Sequence, residues 1–149
     1  MASARESAGR EELERRIAAL DAGRPPAWGR LDASRMVCHL IDSLEMATGA
    51  RAVRPKPLWP FRVFPFKHLL LYVLPMPKGA PTAPELLTTT PNPAFETDRA
   101  TLLRLLAEFA TMPDRGGGPV HPLFGRLDHA EWGSLVYKHM DHHLRQFGA

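Results

Sequence analysis

Ten prolines fall within one stretch of this chain, at positions 55, 57, 60, 65, 75, 77, 81, 84, 91 and 93. Proline lacks a backbone N–H and clashes with the turn before it, so chain broken this often holds neither a long helix nor a central strand. Within residues 50–94 only 66–74 leaves room for a short element. Regular structure is therefore expected on the two flanks, where apolar residues recur with helical period.

Glu11 to Leu20 reads as a helix with Leu13, Ile17 and Leu20 on one side, stopped by Gly23 to Pro26. Residues 1–8 are expected to be frayed. A second helix follows Asp32, a good N-cap, with Leu31 and Met36 as a hydrophobic staple. Its buried face would carry Met36, His39, Leu40, Ser43 and Ala47, and Gly49 would close it. Phe95 to Met112 forms a third, with Leu102, Leu103, Leu105, Leu106 and Phe109 as its apolar side and Pro113 beyond it. The last helix starts at a capping box, Asp128 with Glu131, and Leu127 with Trp132 repeats the staple. Trp28-Gly-Arg-Leu-Asp32 and Phe124-Gly-Arg-Leu-Asp128 match at four of five positions, which reads as shared helix-entry chemistry. The expectation is an all-α fold: one domain over 1–149, with a long proline-rich crossover between the second and third long helices.

A chain of 149 residues can bury a sizeable core. The N-terminal residues lack the apolar stretch of a signal peptide, and Leu69 to Leu74 is far too short to span a bilayer. Cys38 is the lone cysteine, so no internal disulfide forms, and a reducing, cytoplasmic setting is expected. A net charge of +3 does not by itself imply nucleic acid.

The last helix carries the chemistry. His139 and His143 are four apart, so they stack on one helical face with Trp132, Leu135, Val136, Gln146 and Phe147, pointing towards a core. Two imidazoles at this spacing can grip one metal ion, although from spacing alone a polar pair bonded to backbone or water is the better reading. His142 offers an i,i+3 alternative to His143, and helix phase does not choose between them. Asp42 and Gln146, one turn after His39 and His143, are the candidate acceptors for the imidazole N–H groups that face away from a metal.

Other groups read more blandly. Cys38 adjoins His39, but neighbouring helical residues point about 100° apart, and a buried, inert thiol is the better reading. His121 reads as a turn residue packed on Phe124, and His68 and His129 as surface or cap residues. Trp132 and Phe147 belong to the core, and capping accounts for Glu131. Gly116 to Gly118 lacks the phosphate-loop pattern.

The strings WGRLDASRMVCHLIDSLEMATG, PKGAPTAPEL and HPLFGRLDHAEWGSLVYKHMDHHLRQFG resemble a DinB-like domain of unknown function in the DinB/YfiT-like superfamily. The resemblance covers about residues 10–149. It implies a DinB-like four-helix bundle and a divalent metal, zinc or nickel, held by three histidines, one on the second helix and two on the last. Those positions map onto His39, His139 and His143. Some superfamily members transfer low-molecular-weight thiols to electrophiles, so the resemblance points to a small-molecule substrate, to a metal-dependent transferase or hydrolase, and to a homodimer. Three histidines would leave a coordination position open, as in catalytic zinc sites, and the ion would lower the pKa of a bound water or thiol, or polarise a carbonyl.

The crossover supplies the rival readings. Arg51, Arg54, Lys56, Arg62, Lys67 and Lys78 face no acid between Glu45 and Glu85, and Trp59, Phe61, Phe64, Phe66 and Tyr72 lie among them. This aromatic content argues for packing on the domain rather than disorder. A loop covering the bundle is the leading expectation. A non-catalytic interaction module using residues 51–78 is the alternative, and binding to nucleic acid or to a membrane surface ranks below both.

Overall fold

The computed structural model describes residues 2–56, 58–114, 116 and 118–149. Met1, within the N-terminal stretch expected to fray, and Gly117, within the Gly116 to Gly118 turn, lie outside them. The described chain is mostly helical. Helix α1 spans Ser7–Ala18, α2 Ala33–Thr48, α4 Phe95–Thr111 and α5 His129–Gln146, with a short α3 at Phe66–His68. The α3 turn widens into a π-helical turn at Leu69–Val73, and single 3-10 turns stand at Trp59–Arg62 and Pro84–Leu87. Two-residue strands β1 (Val120–His121) and β2 (Gly125–Arg126) pair antiparallel, Val120 opposite Arg126.

The helix ends follow their local chemistry. The Asp32 carboxylate accepts the Arg35 N–H at 2.8 Å, and Gly49 ends α2 at φ +85°, a left-handed conformation that glycine adopts without strain. At α5 the Asp128 carboxylate accepts the Glu131 N–H at 2.7 Å while Glu131 accepts the Asp128 N–H at 2.9 Å. The echoed pentapeptides enter their helices alike: Gly29 and Gly125 sit at φ +83° and +72°, each three residues before the capping aspartate.

The four long helices pack so that α2 touches α4 and α5, and α1 touches the same two. Their shared core holds Leu13 and Ile17 from α1, Met36, Leu40 and Leu44 from α2, Leu102, Leu106 and Phe109 from α4, and Met140 and Leu144 from α5. These recur three or four apart, so each helix turns one apolar stripe inward. Trp132 and Phe147 are buried in the same core. Among the described residues no helix is long and apolar enough to cross a membrane.

The N-terminal stretch departs from expectation. Ala4 is fully buried, its N–H donates to the Gly133 carbonyl at 3.0 Å, and Arg5 donates to the Phe109 carbonyl at 2.8 Å. Helix α1 accordingly starts at Ser7. Two helical glycines make the room: a Cβ at Gly9 would stand 2.3 Å from the Ser3 carbonyl oxygen, and one at Gly133 2.4 Å from Ser3 Oγ. Composition alone suggested a frayed end because the segment is polar, yet its polar groups find partners on α4 and α5.

Candidate metal centre

Helix α2 presents His39 from its buried face, and α5 presents His139 and His143 one turn apart. One ring nitrogen from each of the three lies within 4.8 Å of the others. His39 Nε2 and His139 Nε2 are 3.0 Å apart. The three rings stand nearly perpendicular to one another, with centroids 4.8–4.9 Å apart. A tetrahedral ion with metal–nitrogen bonds of about 2.0–2.1 Å would space its ligand atoms roughly 3.3 Å apart. The three nitrogens are therefore grouped closely enough that one ion could take all of them as ligands.

Hydrogen bonding fixes the tautomers of two of these rings. His39 Nδ1 faces the Leu86 carbonyl at 2.9 Å. A carbonyl only accepts, so Nδ1 carries the hydrogen and Nε2 keeps its lone pair. His143 Nδ1 faces Gln146 Oε1 at 2.9 Å. The Gln146 amide N–H₂ is spent on the Trp28 carbonyl, so its oxygen accepts and His143 Nε2 likewise keeps a lone pair. His139 Nε2–H can donate to His39 Nε2.

Electrostatics keep the rings neutral, the form that binds metal. Burial lowers the His39 pKa, opposed in part by the Leu86 carbonyl and Asp42. His139 is held well below the usual histidine range by burial and then by the other histidines. Burial and His39 push His143 down to about 3.

The expected acceptors divide. Gln146 takes its place against His143, buried and packed so closely on Gly29 that a Cβ there would meet its amide nitrogen at 2.6 Å. Asp42 does not serve His39. Its buried carboxylate accepts the Thr88 N–H at 3.0 Å and the Thr89 hydroxyl, and pairs with Arg51 Nη2 at 2.9 Å. A guanidinium and a turn of backbone donors outcompete one imidazole N–H for that carboxylate. The Leu86 carbonyl fills the role instead. Being a backbone group of the crossover, it left no mark in the sequence.

His142 stays outside the cluster, with its ring 5.6 Å from that of Trp28 and 5.2 Å from that of His143. It lines a cleft of about 580 Å³ together with Trp28, Tyr72, Lys78, Tyr137 and Lys138. Cys38 is buried, its thiol 3.6 Å from the Asp98 carboxylate and pushed up to about 12 by burial and that charge, so it is held as the unreactive thiol. His121 stacks on Phe124 with centroids 4.9 Å apart, and its Nδ1 accepts the Leu123 and Phe124 N–H groups at 3.2 Å each. His68 is exposed and His129 opens α5. Glu131 caps α5 and also pairs with Lys67 at 2.8 Å.

Most of the crossover cations are engaged within the fold. Arg51 pairs with Asp42 and Glu45, Arg54 with Glu85, and Lys67 with Glu131. Arg62 donates to the Pro122 carbonyl at 3.1 Å, and Lys78 Nζ lies 4.1 Å from the centre of the Trp28 ring.

Comparison of the chain with family models, with curated proteins and with solved structures finds no match.

Proposed function

We propose that the chain is a DinB-like four-helix bundle that binds one divalent metal ion, zinc or nickel, through His39, His139 and His143. Its function is metal-dependent chemistry on a small molecule, with transfer of a low-molecular-weight thiol as the leading candidate. The observation that carries the metal reading is the pair of fixed tautomers. Two imidazoles from different helices are each held by an outer acceptor that leaves Nε2 unprotonated, and a third ring stands equally close to both. Core histidines serving only as packing need no such convergence.

Three histidines leave at least one coordination position for water or substrate. When bound, the ion supplies Lewis acidity that lowers the pKa of a coordinated thiol or water. The chain's own groups orient the rings and form a cleft beside them. Leu86 and Gln146 hold the rings, while the cleft beside His142 offers Lys78 and Arg145 to an anionic group and Tyr72 and Trp28 to an apolar one.

The test is elemental mass spectrometry of untagged protein beside His39→Ala, His139→Ala and His143→Ala. Near-stoichiometric metal in the wild type and its loss in each variant is the expected result. Unchanged metal content in all three variants overturns the reading. Zinc at a hundredfold excess over Kd should also add about 2.7 kcal/mol to the stability of the wild type alone. Thiol transfer is then tested by following thioether formation from a small thiol and an aryl chloride with and without the metal.

A further inference from the structure

We propose that the outer ridge of the crossover, formed by Leu58, Trp59, Phe64 and Phe66, is a docking surface for an anionic lipid bilayer. Between them, the 3-10 turn at Trp59–Arg62 packs against α3, and α3 runs into the π-helical turn, so these elements form one surface. That surface has two sides. The inner side buries Leu71 and packs Phe61, Leu70 and Tyr72 on the core. The outer side leaves Phe64 81%, Trp59 71%, Leu58 51% and Phe66 51% exposed, and Val73 continues it at 61%. The aromatic content of the segment is thus only half spent on packing. Large apolar side chains exposed together on adjoining turns mark an interaction site.

The charge around the ridge selects its occupant. Residues 46–84 contain no aspartate or glutamate and six lysines and arginines. Of the acids that the fold brings to this segment, Asp42, Glu45, Glu85 and Glu131 are engaged by Arg51, Arg54 and Lys67, Asp141 by Arg16 and Arg145, and Asp128 caps α5. Lys56 and Lys78 remain exposed outside any ion pair among the described residues, and the Arg54 side chain is 95% exposed despite its contact with Glu85. A second copy docking by its own ridge would set these cations against themselves across a two-fold interface. Anionic headgroups neutralise them, and aromatic rings with short aliphatic chains settle at the headgroup–acyl boundary. The exposed residues are carried by proline-fixed turns rather than an amphipathic helix, so contact would be shallow and reversible, with the helices outside the bilayer.

Flotation of the full chain with vesicles of phosphatidylcholine, alone or with roughly 30 mol % phosphatidylserine, tests this. Binding to the anionic vesicles alone is expected, weakened by salt, and about tenfold weaker in Trp59→Ser/Phe64→Ser. These side chains face solvent, so the variant should melt like the wild type. A second arm needs no loss of binding: brominated lipid should quench wild-type tryptophan emission and leave Trp59→Phe much less affected. The proposal fails if anionic vesicles do not float the protein, if neutral vesicles do so equally, or if the double variant floats like the wild type. It also fails if sedimentation shows a dimer that this variant dissociates without any vesicle binding.

Discussion

Replacing Gln146 by leucine separates a metal centre from a merely packed histidine. Gln146 is 4% exposed and spans two partners, accepting from His143 Nδ1 at 2.9 Å and donating to the Trp28 carbonyl. Leucine keeps the bulk and removes both bonds. Losing the outer acceptor of a metal-bound imidazole typically costs 10–100-fold in affinity, about 1.4–2.7 kcal/mol. Separately, the Trp28 carbonyl left without its donor costs roughly 1–3 kcal/mol of folding stability. Gln146→Glu divides the two effects. A carboxylate accepts the His143 N–H at least as well as the amide, but sets an acceptor against the Trp28 carbonyl. Leucine should therefore lose both affinity and stability, and glutamate stability alone. Zinc competition against a chromogenic chelator reads the affinity, and thermal unfolding of the metal-free protein reads the stability. Zinc affinity within about twofold of wild type in Gln146→Leu would refute the reasoning, as would an equal loss in Gln146→Glu, which would trace the effect to a displaced helix end.

Other positions make sharper contrasts. His142→Ala should keep wild-type metal stoichiometry, because the His142 ring lies outside the cluster; loss of metal would put it among the ligands. Arg51→Met should destabilise the fold by about 3 kcal/mol, since it strips from the fully buried Asp42 the one guanidinium paired with it among the described residues, and urea titration would show it. Burial lowers the His121 pKa from 6.5 to about 4. The unfolded chain therefore takes up that proton first, and stability falls as pH drops from about 6.5 to 4, by at most about 3 kcal/mol. Urea titrations across that range should show a shallower loss in His121→Asn, whose side-chain oxygen can still accept the turn's N–H groups; parallel curves would exclude the histidine as the source. Cys38 should resist a thiol reagent in the native protein and react on unfolding; fast native labelling would contradict its raised pKa.

The parts of the fold visible in the sequence are those written in local chemistry. Both aspartate caps, the Gly49 stop and the capping box are short-range hydrogen-bond problems with few solutions, and α2, α4 and α5 stand within a residue or so of where periodicity placed them. The histidine cluster was legible because three imidazoles fell on inward helical faces. What escaped was settled by contacts distant in sequence. Asp42 is three residues from His39 and shares its side of α2, yet its carboxylate is claimed from 46 and 47 residues away by Thr88 and Thr89. Nothing local announces that the polar N-terminal residues are seated on α4 and α5. The trace they leave is the pair of glycines near the starts of α1 and α5, Gly9 and Gly133, whose missing Cβ atoms make the space. Composition likewise shows that the crossover is aromatic, but not which of its rings turn outward.

The two outer acceptors differ in kind, and the difference bears on what the crossover is for. Gln146 lies on the same helix as His143, and the Trp28 carbonyl turns its amide oxygen towards that ring. His39 depends on a carbonyl 47 residues away, in the 3-10 turn Pro84–Leu87. That turn is held by Asp42, which grips Thr88 and Thr89 just beyond it, and by Arg51, which donates to the Glu85 carbonyl at 3.2 Å while pairing with Asp42 and Glu45. Helix α2 thus supplies both the candidate ligand, His39, and the carboxylate, one turn later, that anchors the acceptor of its N–H. A proline-rich strand of chain is suited to this task. Its backbone carbonyls are not consumed by a helical ladder, and its restricted φ angles reduce the entropy lost in holding one of them still. The residues that break regular structure between 50 and 94 therefore have a constructive part in the centre: they free the one carbonyl that fixes the His39 tautomer.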